Sequence, residues 1–445
     1  MSGLTNWDSR ALAVVQQLRR SGHQAVLVGG CVRDSLLSIP PHDYDVTTSA
    51  LPWEILSCCA GFPCLNTGLK HGTVTVLSGG LSVEVTTFRR EGSYSDHRHP
   101  DQVEFTSDLT DDLARRDFTI NAMAWGPEGL IDRFGGQEDL NARLIRCVGD
   151  PDRRMEEDAL RLLRGLRLAG QLRFTIHPDT ADAIHGHASQ LSMVAWERIS
   201  AEFLRLLCSP GAEQVLLDFP DVVTQILPEL GPAVGFDQRN PHHRWDVYTH
   251  SVKTAALVPP SPALRLAALL HDVGKPASFF LDERGIGHFY GHDRLGVPLA
   301  ERAMARLRLD NATRERAAIL ISRHHLPVEP TRRWAGRWLS RLGEECFFQL
   351  LALKGADASA CAPPLKAEES APLERAEALG RQLLEENACL SLRTLAVNGH
   401  DALKVGLAGP QIGQALHELL DHVAQGELPN ERSALLSALE RYLSP

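Results

Sequence analysis

The stretch VLVGGCVRDSLLSIPPHDYDVTT, residues 26–48, decides how the rest of the chain is read. With Ala25 it opens as an apolar run, which predicts a buried strand. Gly29-Gly30 breaks the run, a short helix is expected through Leu37, and the Pro40-Pro41 turn leads into a second strand carrying Asp43 and Asp45. Residues two apart on a strand share a face, so these carboxylates are expected to project together. Paired carboxylates attract each other's protons unless a cation lies between them, and hard Mg²⁺ is the usual occupant. The Gly-Gly pair lets backbone N–H groups approach an anion, and the helix that follows turns its positive end toward it. A phosphate cradle beside a metal-holding Asp-x-Asp is what phosphoryl or nucleotidyl transfer requires.

GGCVRD (29–34) followed by HDYD (42–45) resembles the signature of the nucleotidyltransferase superfamily that includes DNA polymerase β. More narrowly it is similar to the bacterial CCA-adding tRNA nucleotidyltransferases and their poly(A) polymerase relatives. The resemblance implies that Asp43 and Asp45 hold two Mg²⁺ ions and that Gly29, Gly30 and Arg33 cradle a triphosphate. Strands are expected over Thr73–Leu77 and Ser82–Phe88. In the resembled family an acid on the second, five residues before Arg89, completes a carboxylate trio, and here it is Glu84. The polar segment 89–114 reads as a loop beside a site. Its Asp96, Arg98 and Pro100 match a D-x-R-x-P element that the resemblance ties to addition of the terminal adenosine. RRDFTINAMA (115–124) matches the family closely. Its Arg115, Arg116, Asp117 and Asn121 supply donors and acceptors suited to phosphate and ribose oxygens.

EDALRLLRGLR (157–167) predicts a helix burying Leu160, Leu163 and Leu166. Asp158 and Arg161 stand at i and i+3, with Arg164 and Arg167 continuing the row. A carboxylate accepts hydrogen bonds and a guanidinium donates them, so the pair can imitate a base's Watson–Crick edge. Cytosine and adenine both offer an amino donor beside a ring-nitrogen acceptor. Uracil and guanine put a carbonyl where the amino group should be, and unpaired buried polar groups are a strong basis for rejection. One pair would thus admit CTP and ATP and exclude UTP and GTP, the role this EDxxRxxR element has in the resembled family. Without that role the two form a surface ion pair worth about 0.3 kcal/mol.

Further on, the apolar run Leu264–Leu270 leads into His271-Asp272-Val273-Gly274-Lys275. Imidazole and carboxylate at a helix end suit a divalent metal. LLHDVGK resembles the HD phosphohydrolase superfamily, which implies His250, His271, Asp272 and Asp357 as ligands of a divalent metal of unspecified identity. His292, His324 and His325 are candidates for further ligands or phosphate contacts.

The 445 residues accommodate two to four domains, and 43% hydrophobic with 23% charged residues is ordinary for a water-soluble protein. No apolar run of about 18 residues exists, so no membrane span is expected. MSGLTNWDSR lacks signal-peptide features, and nine cysteines without a CxxC pair point to reduced thiols in the cytoplasm. Net charge is −10, against nucleic acid as partner in the bulk, but residues 302–341 carry ten arginines against three acids. That strip is a candidate RNA grip. The expected fold class is α+β: a small mixed-sheet nucleotidyltransferase head (1–145), then an all-α neck (146–228), HD domain (229–362) and tail (363–445). The implied activity is template-independent addition of C, C and A to the tRNA 3′ end from CTP and ATP, with no membrane and no protein partner evident. An A-adding enzyme, a poly(A) polymerase or mainly an HD-type phosphohydrolase remain the alternatives.

Overall fold

The computed structural model describes residues 7–69, 72–92, 103–361 and 363–442. The chain divides into two compact units, Met1–Ile226 and Leu227–Pro445.

In the N-terminal unit, α1 (Ser9–Arg20) starts where the Asp8 carboxylate accepts from the Arg10 amide at 2.9 Å. It ends with Arg19 and Arg20 in its last turn, each end carrying the charge that complements its exposed backbone groups. β1 (Ala25–Val28) is buried at all four positions, as its apolar run dictates. α2 (Gly30–Leu36), β2 (Tyr44–Thr48), α3 (Pro52–Cys58), β3 (Cys64–Gly68), β4 (Thr73–Ser78) and β5 (Leu81–Thr87) follow. β6 (Arg89–Glu91) and β7 (Val103–Phe105) form a separate ribbon, and α4 (Leu109–Ala114) precedes β8 (Met123–Gly126) and β9 (Gly129–Asp132). The main sheet has the order β3-β4-β5-β2-β1-β8-β9, with β2 and β5 parallel and the other neighbours antiparallel. It is the mixed sheet expected of the head.

Two local expectations need correction. Asp43 lies in the bend just ahead of β2 rather than in the strand, whose pairing starts only at Tyr44, opposite Val83 of β5, after the turn that Pro40-Pro41 begins. The helix expected over 157–167 is also broken. After α5 (Gly136–Ala142) and β10 (Leu144–Ile145), α6 (Pro151–Glu157) stops at Asp158, whose φ of −146° and ψ of 104° are extended. α7 (Leu160–Leu172) then starts afresh, its first turn capped by Asp158 Oδ1, which accepts from Leu160 N at 3.0 Å. Asp favours such N-terminal positions over helix interiors because its short side chain reaches nearby amides. β11 (Thr175–Ile176), α8 (Pro178–His187), α9 (Trp196–Leu207), α10 (Ala212–Asp218) and α11 (Pro220–Ile226) complete this unit.

The C-terminal unit is helical apart from one hairpin. The Pro-, Gly- and His-rich stretch 228–244 is packed into it rather than strung out: Leu230 and Ala233 are fully buried and Gln238 nearly so. α12 (Val247–Leu257) leads to α13 (Pro262–Leu270), which is buried from Ala263 through Leu270. A helix buried on every side belongs at the centre of its unit. α14 (Lys275–Ser278), the hairpin β12 (Phe280–Leu281) and β13 (Gly287–His288), α15 (His292–Arg306), α16 (Asn311–Arg323), α17 (Arg332–Leu342), α18 (Glu344–Ala360) and α19 (Pro363–Glu385) follow. α20 (Gly399–Val405), α21 (Pro410–Ala424) and α22 (Arg432–Arg441) close on their own core, which includes Val397, Leu416, Leu419, Leu435 and Leu439. No helix among the described residues is long and apolar enough to cross a membrane.

Candidate active site and candidate metal centre

The parallel register of β2 on β5 sets Asp45 directly opposite Glu84, so two carboxylates stand side by side on adjacent strands. β5 lies between β4 and β2, which makes Glu84 an interior-strand residue rather than an edge one. Burial raises the Asp45 carboxyl above its ordinary value; Arg116 opposes the shift, and Glu84 and Asp43 add to it. Asp45 therefore senses both neighbours. Gly29, at φ 79°, turns the chain from β1 into α2, and a Cβ there would stand 3.1 Å from Arg116 Nη1 and 3.6 Å from Asp45 Oδ2. Glycine keeps that corner open.

Around it the RRDFTIN residues form a connected network. Arg33 donates from Nη1 to Asn121 Oδ1 at 2.6 Å and from Nε to Asp34 Oδ1 at 2.8 Å. Asn121 Nδ2 donates to Asp117 Oδ1 at 3.2 Å. Asp117 also accepts from Phe118 N at 2.9 Å and pairs with Arg164 at 2.7 Å. Burial alone would raise its carboxyl, but Arg164 and Arg161 hold it down at about 2. Arg115 and Arg116 both reach Asp112, at 2.8 and 3.4 Å. Asp112 is fully buried and accepts from Thr47 Oγ1 at 3.0 Å. Its spacing of three and four residues ahead of the arginine pair was the available signal for it.

Asp158 and Arg161 have different partners from those expected. Asp158 Oδ2 pairs with Arg198 on α9 at 2.9 Å. Arg161 is buried and donates to Glu157 Oε2 at 2.5 Å and to the carbonyls of Arg154 and Arg115 at 3.0 and 3.2 Å. The expectation of a direct i,i+3 pair fails because Asp158 is outside the helix that carries Arg161. Each Asp158 oxygen accepts one such bond, and a carboxylate oxygen has a second lone pair to offer. Arg167 is engaged by Glu202, so the row Arg161–Arg164–Arg167 is held by three acids: Glu157, Asp117 and Glu202. Arg198, forty residues away, carried no local signal. Asp96, Arg98 and Pro100 lie outside the described residues.

In the C-terminal unit the HD residues converge. His250 Nε2 lies 2.9 Å from Asp357 Oδ1 and 3.6 Å from Asp272 Oδ2, and His271 Nε2 is 3.2 Å from Asp272 Oδ2. On the other carboxylate oxygen, Asp272 Oδ1, His292 Nε2 is at 3.3 Å and His324 Nε2 at 3.9 Å. His325 Nε2 lies 2.8 Å from His292 Nε2. Asp272 thus faces two donor sets, one through each oxygen.

The rings are oriented for ligation. Nδ1 of His271, His292 and His324 meets the carbonyl three residues back (Ala268, Phe289 and Ile321) at 2.7, 2.7 and 2.6 Å. A carbonyl only accepts, so Nδ1 carries the proton and Nε2 is left with its lone pair in the neutral ring. His292 and His324 nonetheless meet Nε2 to Nε2 at 3.3 Å, and His271 Nε2 is buried with no aligned hydrogen-bond partner. Facing lone pairs repel, and a shared cation removes the repulsion. Among the described residues, Asp272, His292, His324 and His325 form one group suited to a metal ion, and His250, His271 and Asp272 another. Burial would neutralise His271, but Asp272 and Asp357 raise it to about 10, so a cation taken up at Nε2 displaces a proton there; Asp272 and Asp357 are themselves held well below the usual carboxylate range.

Three contacts here go beyond the expected ligands. Lys275 Nζ pairs with Asp272 Oδ2 at 2.7 Å, and His243 and Cys361 stand beside His250. The arginine strip is partly engaged within its own unit. Arg306, Arg316, Arg332, Arg333 and Arg341 are engaged by Glu229, Glu345, Glu386, Glu427 and Asp421 within the same unit. At least half of its charge is neutralised at home.

The chain matches the family model of the poly A polymerase head domain over residues 25–146. It matches the "Probable RNA and SrmB- binding site of polymerase A" model over 173–233 and the HD domain model over 243–374. Sheet, carboxylates and HD cluster together define a nucleotidyltransferase head with an HD-bearing helical unit. A CCA-adding enzyme of Levilactobacillus brevis is 34% identical over 443 residues, 96% of each chain. One from Lactobacillus gasseri is 47% identical over 212 residues, 47% of this chain and 53% of its own length. The crystal structure of the Bacillus stearothermophilus CCA-adding enzyme in complex with CTP superposes with a TM-score of 0.75 at 29% identity, covering 98% of this chain and 97% of that one. The chain belongs to the CCA-adding enzyme family of nucleotidyltransferases. The Thermotoga maritima CCA-adding enzyme complexed with tRNA shares the fold, with a TM-score of 0.60 at 18% identity over 97% of this chain and 94% of that one.

Proposed function

We propose that the N-terminal unit adds C, C and A, without a template, from CTP and ATP to the 3′ end of tRNA. The register that pairs Asp45 with Glu84 beside the Gly29–Arg116 corner is the observation that carries this, and family membership supports it. Asp43, Asp45 and Glu84 offer the hard oxygen donors that fit two Mg²⁺ ions, which when bound lower the pKa of the RNA 3′-hydroxyl and neutralise charge on the leaving pyrophosphate. Gly29, Gly30 and Arg33 bind the triphosphate, and Arg115 and Arg116 brace it. Asn121 and Asp117 fix the Arg33 fork, so the phosphates are held in one orientation. The 3′ oxygen forms a bond to the α-phosphorus, the bridging bond to pyrophosphate breaks, and the hydroxyl proton passes to water. Asp158 accepts from the base's amino group and Arg161 donates to its ring nitrogen, with Arg164 and Arg167 flanking. A tRNA substrate places the reaction in the cytoplasm.

Purified protein with Mg²⁺ is offered tRNA lacking its 3′ CCA and the four nucleoside triphosphates singly and in pairs, and the 3′ ends are sequenced. Three residues from CTP plus ATP support the reading. Adenosine added only to tRNA ending in CC makes it an A-adding enzyme, and no addition rejects the head assignment.

The donor sets around Asp272 favour a second activity, metal-dependent phosphohydrolysis by the C-terminal unit. His250, His271, Asp272 and Asp357 would hold one divalent ion and His292, His324 and His325 would extend the site through Asp272. Phosphatase or phosphodiesterase turnover that survives Asp45→Ala and disappears in Asp272→Asn supports it; turnover indifferent to Asp272 rejects it.

A further inference from the structure

Beside the metal-ligand pocket stands an aromatic cluster that neither activity uses. On the hairpin and just past it, the rings of Phe280, His288 and Tyr290 lie 5.4–5.6 Å apart by centroid, with planes 10° to 36° from parallel. Tyr290 is 75% exposed and Phe280 45%. His288 Nε2 is held by Asp282 Oδ2 at 3.1 Å, which sets the middle ring. Large aromatic side chains are ordinarily covered, and an exposed apolar patch marks an interaction site.

We propose that this cluster is a stacking shelf for an unpaired nucleobase, so that the pocket takes a nucleoside phosphate with its base on Tyr290 and Phe280 and its phosphate toward the donors around Asp272. The proposal rests on the reading of that pocket as a metal-dependent phosphate site.

Shelf and pocket are rigidly linked. Tyr290 precedes the ligand candidate His292 by two residues, a span of at most about 7 Å. The Gly287 amide donates to Arg239 O at 2.8 Å and Asn240 Nδ2 donates to Gly287 O at 2.9 Å. A Cβ at Gly287 would stand 2.1 Å from Gln238 O, so the hairpin is seated with no room to spare. Lys275 Nζ then ties Gln238 Oε1, at 2.9 Å, to Asp272 Oδ2, at 2.7 Å. Beneath, Phe279 packs on Phe236 at 5.2 Å and on Phe289 at 5.6 Å.

Size argues for a base rather than a protein. An aromatic side chain buries about 150–250 Å², so this partly covered cluster offers a few hundred Å² at most, against about 800 Å² per partner in a stable protein interface. Every base has a face that stacks on an aromatic ring, and the phosphate supplies the second anchor.

Full-length protein carrying Asp45→Ala, with Mn²⁺ present, is titrated calorimetrically with AMP and with ribose 5-phosphate. Any residual binding by the head is common to all variants and cancels. AMP is expected to bind at least about tenfold more tightly than ribose 5-phosphate. Tyr290→Ala and Phe280→Ala should erase that difference while leaving Mn²⁺ and ribose 5-phosphate binding unchanged, and Tyr290→Phe should retain it. Equal affinities for the two ligands, or an AMP affinity indifferent to Tyr290→Ala, overturn the shelf. Asp272→Asn separates the two readings. Unaltered Mn²⁺ and phosphate binding there rejects the pocket, whereas a surviving Tyr290-dependent preference for adenosine over ribose supports the shelf by itself. Self-association abolished by Tyr290→Ala, with equal AMP and ribose 5-phosphate affinities, overturns it in favour of a second copy of the chain.

Discussion

Asp117→Asn tests the network that holds Arg33. The Asp117 carboxyl is brought from 3.8 to about 2. At about 1.4 kcal/mol per pKa unit, that depression corresponds to about 2 to 3 kcal/mol of stability at neutral pH. Breaking a fully buried ion pair costs about 3–5 kcal/mol because the abandoned charge stays desolvated. The Arg164 side chain, however, is 43% exposed and can turn to water, so the lower figure applies. The sign follows from a depressed pKa. The stabilisation is complete above the ordinary carboxylate value, declines as pH falls from about 4 towards 2, and is gone below. Hydrogen exchange of amides in 118–124 and α7 reads the N-terminal unit alone, which a global melt of a two-unit chain does not. At pH 7 the variant should open about 2 to 3 kcal/mol more easily, and the gap should close in acid. Asn121 loses a charged acceptor and Arg33 its fixed orientation, so KM for CTP and ATP should rise together while their ratio holds. A gap under about 0.5 kcal/mol, or one equally large at pH 7 and pH 3, would refute the linkage reasoning.

Replacing Asp158 and Arg161 by Ala should relax base choice more than it slows turnover; unchanged discrimination against UTP in sequenced 3′ ends would sink that assignment. Arg198→Ala should raise KM for CTP and ATP more than it lowers kcat, because Asp158 loses one of its two anchors, and Arg198→Lys should recover part of the loss. With the Asp45 carboxyl raised, Mn²⁺ binding to the head, followed by electron paramagnetic resonance, should weaken with acid from above the ordinary carboxylate range. Asp272→Asn should strip metal from the whole C-terminal site, since each oxygen faces one donor set. His325→Ala should leave the ion near His250, as metal analysis of the full chain would show.

What could be read from the sequence was what short range determines. The apolar run of β1, the glycine corner and the alternation of β5 fix the sheet centre, and with it the placement of Asp45 beside Glu84. Spacing along a helix failed at Asp158, where an Asp able to cap the next helix ended the one before it, and its partner Arg198 came from another helix. The arginine strip shows the same limit in reverse. Counting charges over 302–341 registers the arginines, but Glu345 and Asp421 meet them from other helices, and Glu386 and Glu427 from just past helix ends.

The histidine cluster shows where local and distant information join. The last carbonyls of a helix lack intrahelical donors. A histidine placed at such an end, as His271 after α13 and His324 after α16, satisfies one of them through Nδ1–H. The same bond leaves Nε2 as the lone-pair nitrogen. An apolar helix running straight into His-Asp therefore specifies, in adjacent residues, the helix stop, the tautomer and the carboxylate beside it. The all-round burial of α13 carries that assembly into the middle of the unit, where α12, α15, α16 and α18 bring His250, His292, His324 and Asp357. LLHDVGK is legible because its chemistry is oriented by its own helix. The shelf on Tyr290 is not, because its meaning depends on Gln238 and Lys275 tying a hairpin to that helix's end.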